Sequence, residues 1–203
     1  MSRRTLPASL VVATGLAGWL AGPPAWGHTF PPVHTVVVQV ERCELALLIG
    51  YSAGTGEPTE RVIARAATQP KSHIVDALRD TLTAYAMAPL TVTLDGAVVT
   101  PTSVRAKVGF DASGTRPVVV VLATFALHRG GELAITSRDP RTTRISWLDR
   151  GSGRVDHTRA PAAGHWFADV ASFLLPVAPP PGGPTCASSG TSDSSPPASP
   201  PVR

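Results

Sequence analysis

A glycine-flanked serine carries the clearest catalytic chemistry in this sequence. Residues 50–54 read GYSAG and match G-x-S-x-G, in which a sharp turn from a strand to a helix exposes a nucleophilic serine. The pattern predicts a serine esterase that uses Ser52. The alternative is a strand that leaves its sheet through a turn of small residues, because only one hairpin precedes the motif. An aspartate and then a histidine follow in the chain order that such a serine needs; the candidates are Asp149, Asp156, His157 and His165.

Histidine provides the second candidate chemistry, at the start of the exported chain. Arg3 and Arg4 precede an apolar stretch over residues 6–22, and small residues occupy the −3 and −1 positions before His28. This pattern predicts a signal peptide over residues 1–27 and an exported protein, periplasmic or secreted. The apolar stretch is shorter than the ~20 residues of a membrane-spanning helix. The export route stays open between the general secretory and twin-arginine systems.

Cleavage before His28 places a histidine at the new N-terminus. Its amine and ring nitrogen can chelate one metal ion, which suits Cu(II). A third nitrogen can come from His34, the preferred candidate, or from His73, His128, His157 or His165. The hypothesis is a periplasmic copper-binding protein with copper as its cofactor. The six histidines of the chain are scattered, so the alternative is a frayed N-terminus that binds no metal.

An arginine-rich segment is a candidate binding surface. Arginine binds phosphate and carboxylate groups in a bidentate manner, so one interpretation is a site for an anionic component of the cell envelope. The other is a solvated hairpin whose arginines pair weakly with neighbouring aspartates. The arginines are Arg138, Arg141, Arg144, Arg150, Arg154 and Arg159.

Charge and cysteine content narrow the classes of protein. The formal charge of +4 falls toward +2 when Arg3 and Arg4 leave with the signal peptide, and this balance does not favour nucleic-acid binding. No later apolar run reaches the length of a membrane span. Two cysteines, Cys43 and Cys186, can form one disulfide in an oxidising compartment. The alternative is a small buried residue and a lone thiol.

The elements that must position these residues are mostly strands. The pair Asp95-Gly96 is the strongest hairpin signal, because it lies between alternating apolar segments. Residues 117–127 form a near-continuous apolar run, which predicts a strand buried on both faces. β-branched and alternating segments predict about eight strands in all, among them 33–40, 43–51, 90–94, 104–110, 117–127 and 143–148.

One substantial helix interrupts the strands. Apolar residues recur at helical spacing over residues 72–87, with Ser72 as a candidate N-cap, and a shorter helix is predicted over residues 59–67. An apolar stripe on one face is typical of a helix that covers a sheet. The stripe therefore predicts core packing and no cofactor site.

Strands and helices do not alternate along the chain, which disfavours a doubly wound parallel sheet. The predicted fold class is α+β, mainly β: an antiparallel sandwich of about eight strands with one substantial helix at its side or end. Residues 28–177 are predicted to form this single domain. The preferred prediction of function is an exported, soluble binding or structural module of unknown ligand, with the copper-binding protein and the serine esterase as alternatives. The Pro/Ser-rich residues 178–203 are predicted to be a disordered tail, because they cannot bury enough apolar surface to fold.

The order of these elements resembles a known domain. A signal, an N-terminal histidine, a hairpin, a helix and the hairpin LTVTLDG with further strands are similar to the extracytoplasmic N-terminal domain of HupE/UreJ-like membrane proteins, over about residues 33–148. The resemblance implies an extracytoplasmic β-rich domain. The metal-transport role of that family depends on membrane helices, whereas this sequence continues into a polar tail.

Overall fold

The computed structural model describes residues 33–54, 57–112, 114–140, 142–180 and Cys186. The predicted signal peptide, His28 and most of the predicted tail lie outside these residues. The strands are β1 (Val33–Val40), β2 (Glu44–Ser52), β3 (Leu90–Leu94), β4 (Ala97–Val98), β5 (Ser103–Phe110), β6 (Pro117–Ala126), β7 (Gly131–Ser137), β8 (Thr143–Leu148), β9 (Phe167–Ala168) and β10 (Ser172–Val177), and the helices are α1 (Glu57–Ala67) and α2 (Ile74–Met87).

Two sheets divide these strands. One has the order β5-β6-β2-β1-β8-β9, and the other has the order β10-β7-β3-β4. The predicted fold class is confirmed: the protein is mainly β with sandwich-like sheets and one substantial helix, α2. The described residues contain ten strands, which is more than the predicted eight. Two of the ten, β4 and β9, have only two residues each.

The pairing of β1 with β8 departs from the antiparallel expectation. These two strands are parallel, with His34 beside Thr143 and Val38 beside Trp147. Parallel neighbours require a long crossover connection. Here most of the domain provides it, because the chain passes through β7 of the second sheet before β8 returns to the free edge of β1. Local sequence patterns do not encode such a distant pairing.

One face of the six-stranded sheet forms a wall of the core. Alternate residues of β1 and β2 are buried there, with Val36 opposite Ile49 and Val38 opposite Leu47. Successive side chains of a strand point to opposite faces, so the intervening residues lie on the other side of the sheet. The same alternation corrects the prediction for residues 117–127. Strand β6 buries only one of its faces, because no described element packs on the other.

Helix α2 packs against β2, β5 and β6. Its buried residues Leu78, Leu82 and Ala86 follow the predicted apolar stripe. The helix begins at Ile74 and not at residue 72, since a 3₁₀ turn over Lys71–His73 precedes it. Pro89 follows the last turn, as expected from the steric restriction that proline places on the residue before it.

The predicted Asp95-Gly96 hairpin is present between β3 and β4. Both residues have positive φ angles, 49° and 77°, as expected for the tight turn that suits the twist of a hairpin. The Asp95 carboxylate also accepts a hydrogen bond of 2.8 Å from the backbone N–H of Glu132. The turn thereby contacts β7 of the same sheet.

A disulfide joins Cys43, in the β1–β2 hairpin, to Cys186. The two Cα atoms are 5.4 Å apart although 143 positions separate them in the sequence. A cross-link over such a separation restricts the unfolded chain strongly. It holds Cys186 against the first hairpin of the domain.

Arg154 connects the same region from inside. Its side chain is fully buried, and no carboxylate faces it among its hydrogen-bond partners. The guanidinium instead donates four hydrogen bonds of 2.7–2.9 Å to backbone carbonyl oxygens, those of Arg42, Leu127, Arg129 and Ala178. The Ala178 N–H returns a hydrogen bond of 2.6 Å to the Arg154 carbonyl.

The environment of Arg154 differs from both interpretations of the arginine-rich segment. This residue is neither on a solvated hairpin nor available to an anionic ligand. Its partners belong to three separate segments: the β1–β2 hairpin, the β6–β7 connection and the residues after β10. Burial lowers the pKa of its guanidinium. The carbonyl dipoles provide the compensation that a buried charge needs.

We expect Arg154→Ala to lower the free energy of unfolding by about 3 kcal/mol or more, because a buried polar group left without a partner costs ~1–3 kcal/mol. Urea denaturation followed by circular dichroism measures the difference. Arg150→Ala is the matched control, since Arg150 is exposed four residues away and should change stability by less than about 0.5 kcal/mol. Equal losses in the two variants would contradict the assignment.

Candidate functional site

A cleft of about 510 Å³ opens where β1 begins and β2 ends. Side chains of both helical and strand elements line it. His34 comes from β1, Tyr51 from β2, Arg61 from α1, Tyr85 from α2, and Arg138 with Asp139 from the β7–β8 connection. Aromatic surface, cationic groups and a histidine therefore converge in one concave place, which is typical of small-molecule sites.

His34 lies in the wall of this cleft and is only 2% exposed. It belongs to the inward-facing residues of β1, and its register partners are Tyr51 on β2 and Thr143 on β8. The His34 and Tyr51 rings meet edge to face, with centroids 5.6 Å apart. The Nε2 atom of His34 is buried and has no hydrogen-bond partner among the described residues.

A hydrogen-bond network includes the Nδ1 atom of His34. The Thr143 hydroxyl donates to the Asp139 carbonyl oxygen at 3.0 Å, and its oxygen lies 3.3 Å from His34 Nδ1. Ser137 Oγ accepts from the Asp139 N–H and lies 2.7 Å from Thr143 Oγ1. In the tautomer that carries the proton on Nδ1, the ring donates to Thr143. Nε2 is then left with its lone pair.

Burial lowers the pKa of His34. The backbone carbonyl of Ala86 and the carboxylate of Asp139 act in the opposite direction, but desolvation of the charged ring is the larger effect. The neutral ring therefore predominates at neutral pH. In that form Nε2 can accept a hydrogen bond or bind a metal ion.

Two tyrosines form the aromatic part of the cleft. The rings of Tyr51 and Tyr85 have centroids 6.5 Å apart, and Tyr85 is one of the exposed large side chains of α2. Burial, and secondarily Tyr85, raise the pKa of Tyr51. Its hydroxyl stays protonated at neutral pH and can donate a hydrogen bond. The helical stripe thus supplies one residue, Tyr85, to the cleft and not to the core.

Charged side chains line part of the cleft. Arg61 and Arg138 contribute guanidinium groups, and Asp139 contributes a carboxylate. Arg138 is exposed and makes no ion pair within the described part of the chain. The sequence predicted Arg138 as part of the arginine-rich candidate binding surface. Neither Arg61 nor Tyr85 carried a signal of binding in the sequence, because each lies on an ordinary amphipathic helix.

The structure separates Ser52 from its candidate catalytic partners. Ser52 is opposite Val33 at the start of β1, whereas Leu148, the residue before Asp149, is beside Gln39 near its end. Six residues of strand place these positions about 20 Å apart. Asp149 does pair with His157, at 2.7 Å between Oδ2 and Nε2, but far from the serine.

Ser52 also lacks the backbone of a nucleophile elbow. It lies within β2, paired on both sides, and is not among the described residues with positive φ. Its Oγ accepts a hydrogen bond of 3.4 Å from the Gly54 N–H. This geometry is that of a strand end followed by a turn of small residues.

The remaining histidines do not assemble with His34. His165 packs edge to face on Phe167 with centroids 4.7 Å apart, and His157 pairs with Asp149. No group of three His, Cys, Asp or Glu side chains that could hold a metal ion occurs within the described ranges. His28 lies outside those ranges, so the copper hypothesis stays a prediction.

No protein-family model, curated protein or solved structure matches this chain. The resemblance to HupE/UreJ-like extracytoplasmic domains therefore stays a prediction as well. In the part of the chain that the structure describes, no helix is long and apolar enough to cross a membrane.

We expect the buried His34 to make the protein less stable in acid. Its pKa in the folded protein lies below the unfolded value of about 6.5, so the unfolded chain takes up a proton first as the pH falls. The contribution of the neutral His34 ring to the free energy of unfolding is complete above the unfolded pKa. It is lost as the pH drops below that pKa, by at most about 1.4 kcal/mol per pH unit. Urea denaturation between pH 7 and pH 5 (about neutral to mildly acidic) measures it.

His34→Asn is the informative variant, because an asparagine amide can still donate to Thr143 but does not titrate. It should flatten the pH dependence of the free energy of unfolding. His128→Asn, at an exposed position, controls for the loss of one histidine. Unchanged pH dependence in His34→Asn would refute the assignment.

Proposed function

We propose that this protein is an exported binding module whose ligand site is the cleft around His34, Tyr51 and Tyr85. The observation that carries the proposal is the convergence of the exposed Arg138 and two tyrosines beside a buried histidine with an unpartnered nitrogen. A purely structural cavity has no need of this combination. Unpaired buried polar atoms are uncommon in folded proteins.

The lining chemistry indicates a small anionic ligand with an apolar ring. Arginine guanidinium groups bind carboxylate or phosphate, often with two parallel hydrogen bonds. The faces of Tyr51 and Tyr85 offer stacking area and hydroxyl donors. The lone pair on His34 Nε2 can accept a hydrogen bond from a hydroxyl group of the ligand. A ring carrying an acid at one end and a hydroxyl at the other satisfies all three groups.

Location in the cell envelope fits the same ligand class. The signal pattern of residues 1–27 supports export, and the Cys43–Cys186 disulfide supports an oxidising compartment. An anionic envelope component is then the natural source of the ligand. The proposal thereby moves the predicted anion site from the whole arginine-rich segment to Arg138 and its neighbours in the cleft.

The test uses 4-hydroxybenzoate as the probe, with chemical-shift changes in NMR spectra of the protein purified after export. We expect saturable shifts at residues of the cleft. Arg138→Ser should weaken binding about tenfold or more, because a hydrogen bond to a charged group contributes ~1.5–3 kcal/mol. Arg150→Ser, outside the cleft, should leave the affinity unchanged.

A neutral analogue, 4-hydroxybenzamide, tests the role of charge. It should bind more weakly than the acid to the unmodified protein, and the difference should shrink in Arg138→Ser. Equal affinity for acid and amide, or saturable shifts that lie away from the cleft, would overturn the proposal.

The geometry of His34 also favours a second candidate, copper binding. Metal-binding histidines typically donate the second ring N–H to a neighbouring acceptor, which fixes the ring. The Nδ1 contact with Thr143 has this form, and it leaves Nε2 as the ligand atom. His28, six residues earlier in the sequence, supplies the chelating amine and imidazole when cleavage exposes it.

Isothermal titration of the exported chain with Cu(II) tests this candidate. We expect one bound ion, with an affinity that falls about tenfold or more in His34→Asn, because one imidazole ligand is removed. His73→Asn, at an exposed position, is the control and should bind as the unmodified chain does. An additional alanine before His28 should weaken binding too, and equal affinity in all of these proteins would exclude the site.

A further inference from the structure

The six-stranded sheet has one face turned away from the core, and this outer face is apolar at its centre. Its central residues are Val37, Leu48, Val120 and Leu122, which alternate with buried residues along β1, β2 and β6. Leu48 is 46% exposed, Val120 47% and Leu122 38%. Sheets with one wet face normally carry polar residues there. The exposed side chains of Leu48, Val120 and Leu122 on the solvent-facing side of the sheet therefore need an explanation.

The strand register makes these side chains contiguous. Leu48 lies directly opposite Val37 on one side and Leu122 on the other. Val120 is opposite Gly50, two positions from Leu48 on the same face. Cross-strand neighbours at these spacings are within contact distance. The centre of the outer face is one apolar patch and not a set of scattered residues.

Cationic side chains border this patch. Arg105 is opposite Leu122, and Lys107 is opposite Val120, on the edge strand β5. Arg144 lies beside Thr35 on the other margin. Two carboxylates lie on the same face: Glu44, at the start of β2, and Glu41, in the β1–β2 connection, which shares a surface concavity with Leu48, Leu122 and Arg150. The face is net positive.

The charge pattern selects among occupants of the patch. A second copy of the chain would bring one cationic border against another, which disfavours self-association. A protein partner is usually held by buried aromatic anchors, and the outward-facing residues of β1, β2, β5, β6 and β8 include none. Residues 187–203 contain one valine and no leucine, isoleucine or aromatic residue, so the tail is a poor match for an aliphatic surface.

We propose that the outer face adsorbs to the surface of a bilayer that contains anionic phospholipid. Lysine and arginine side chains bind the anionic headgroups, and the aliphatic centre enters the boundary between headgroups and acyl chains. A bilayer needs no matching pocket or aromatic anchor on the protein. This surface is separate from the cleft, so it holds the module at the envelope while the cleft stays accessible.

Cosedimentation with large unilamellar vesicles tests the proposal. We expect the protein purified after export to bind vesicles of phosphatidylcholine that contain about one-third phosphatidylglycerol, and to bind pure phosphatidylcholine far more weakly. Arg105→Ser/Lys107→Ser should weaken binding about thirtyfold, because each cation near an anionic surface contributes ~1 kcal/mol. Arg65→Ser/Lys71→Ser removes the same charge from exposed positions elsewhere and should have little effect.

A second variant separates apolar insertion from simple charge attraction. Leu48→Asp should abolish binding, whereas Leu174→Asp should not, because Leu174 has the same 46% exposure but lies on β10 of the other sheet. Thermal denaturation confirms that each variant is folded. Any apolar residues left by incomplete signal cleavage bind equally in all variants. Binding that is unaffected by Leu48→Asp overturns the proposal. Failure of the unmodified protein to bind either kind of vesicle also overturns it, and would leave an acidic protein as the partner of this face.

Discussion

The buried guanidinium of Arg154 is the interaction on which one end of this domain depends. It takes its hydrogen-bond acceptors from the first hairpin, from the connection between β6 and β7 and from the residues after β10. A charge in that place is tolerated only while its partners stay in position. The Cys43–Cys186 disulfide joins two of the same regions. Covalent and polar cross-links together close this end of the sandwich.

The opposite end of β1 is arranged differently, and function is proposed there. Near Val33 the cleft is lined by Tyr51, Tyr85 and the arginines Arg61 and Arg138. His34 forms part of the cleft wall, and its Nδ1 atom contacts the Thr143 hydroxyl on the side away from the cleft.

Much of the architecture was predictable because it follows from local periodicity. The alternation in β1, the Asp95-Gly96 turn and the apolar stripe of α2 each indicate one structure from a few adjacent residues. Burial was harder to predict. The run of residues 117–127 indicated burial on both faces, yet β6 exposes Val120 and Leu122, because an apolar strand does not reveal whether a second layer covers it. Of the residues that line the cleft, the sequence indicated His34 and Arg138 as binding candidates. It assigned them to two different sites.

By itself the sequence determined the fold class, most strand positions and the pattern of an exported chain, since these depend on residues close together along the chain. The tertiary structure decided which distant residues meet. It placed Thr143 beside His34, separated Ser52 from Asp149 and His157, and turned Arg154 inward while Arg138 faces the cleft. Arginines only a few positions apart therefore differ in role. The physical reason is that burial and hydrogen-bond partners arise from long-range packing, which no local spacing encodes.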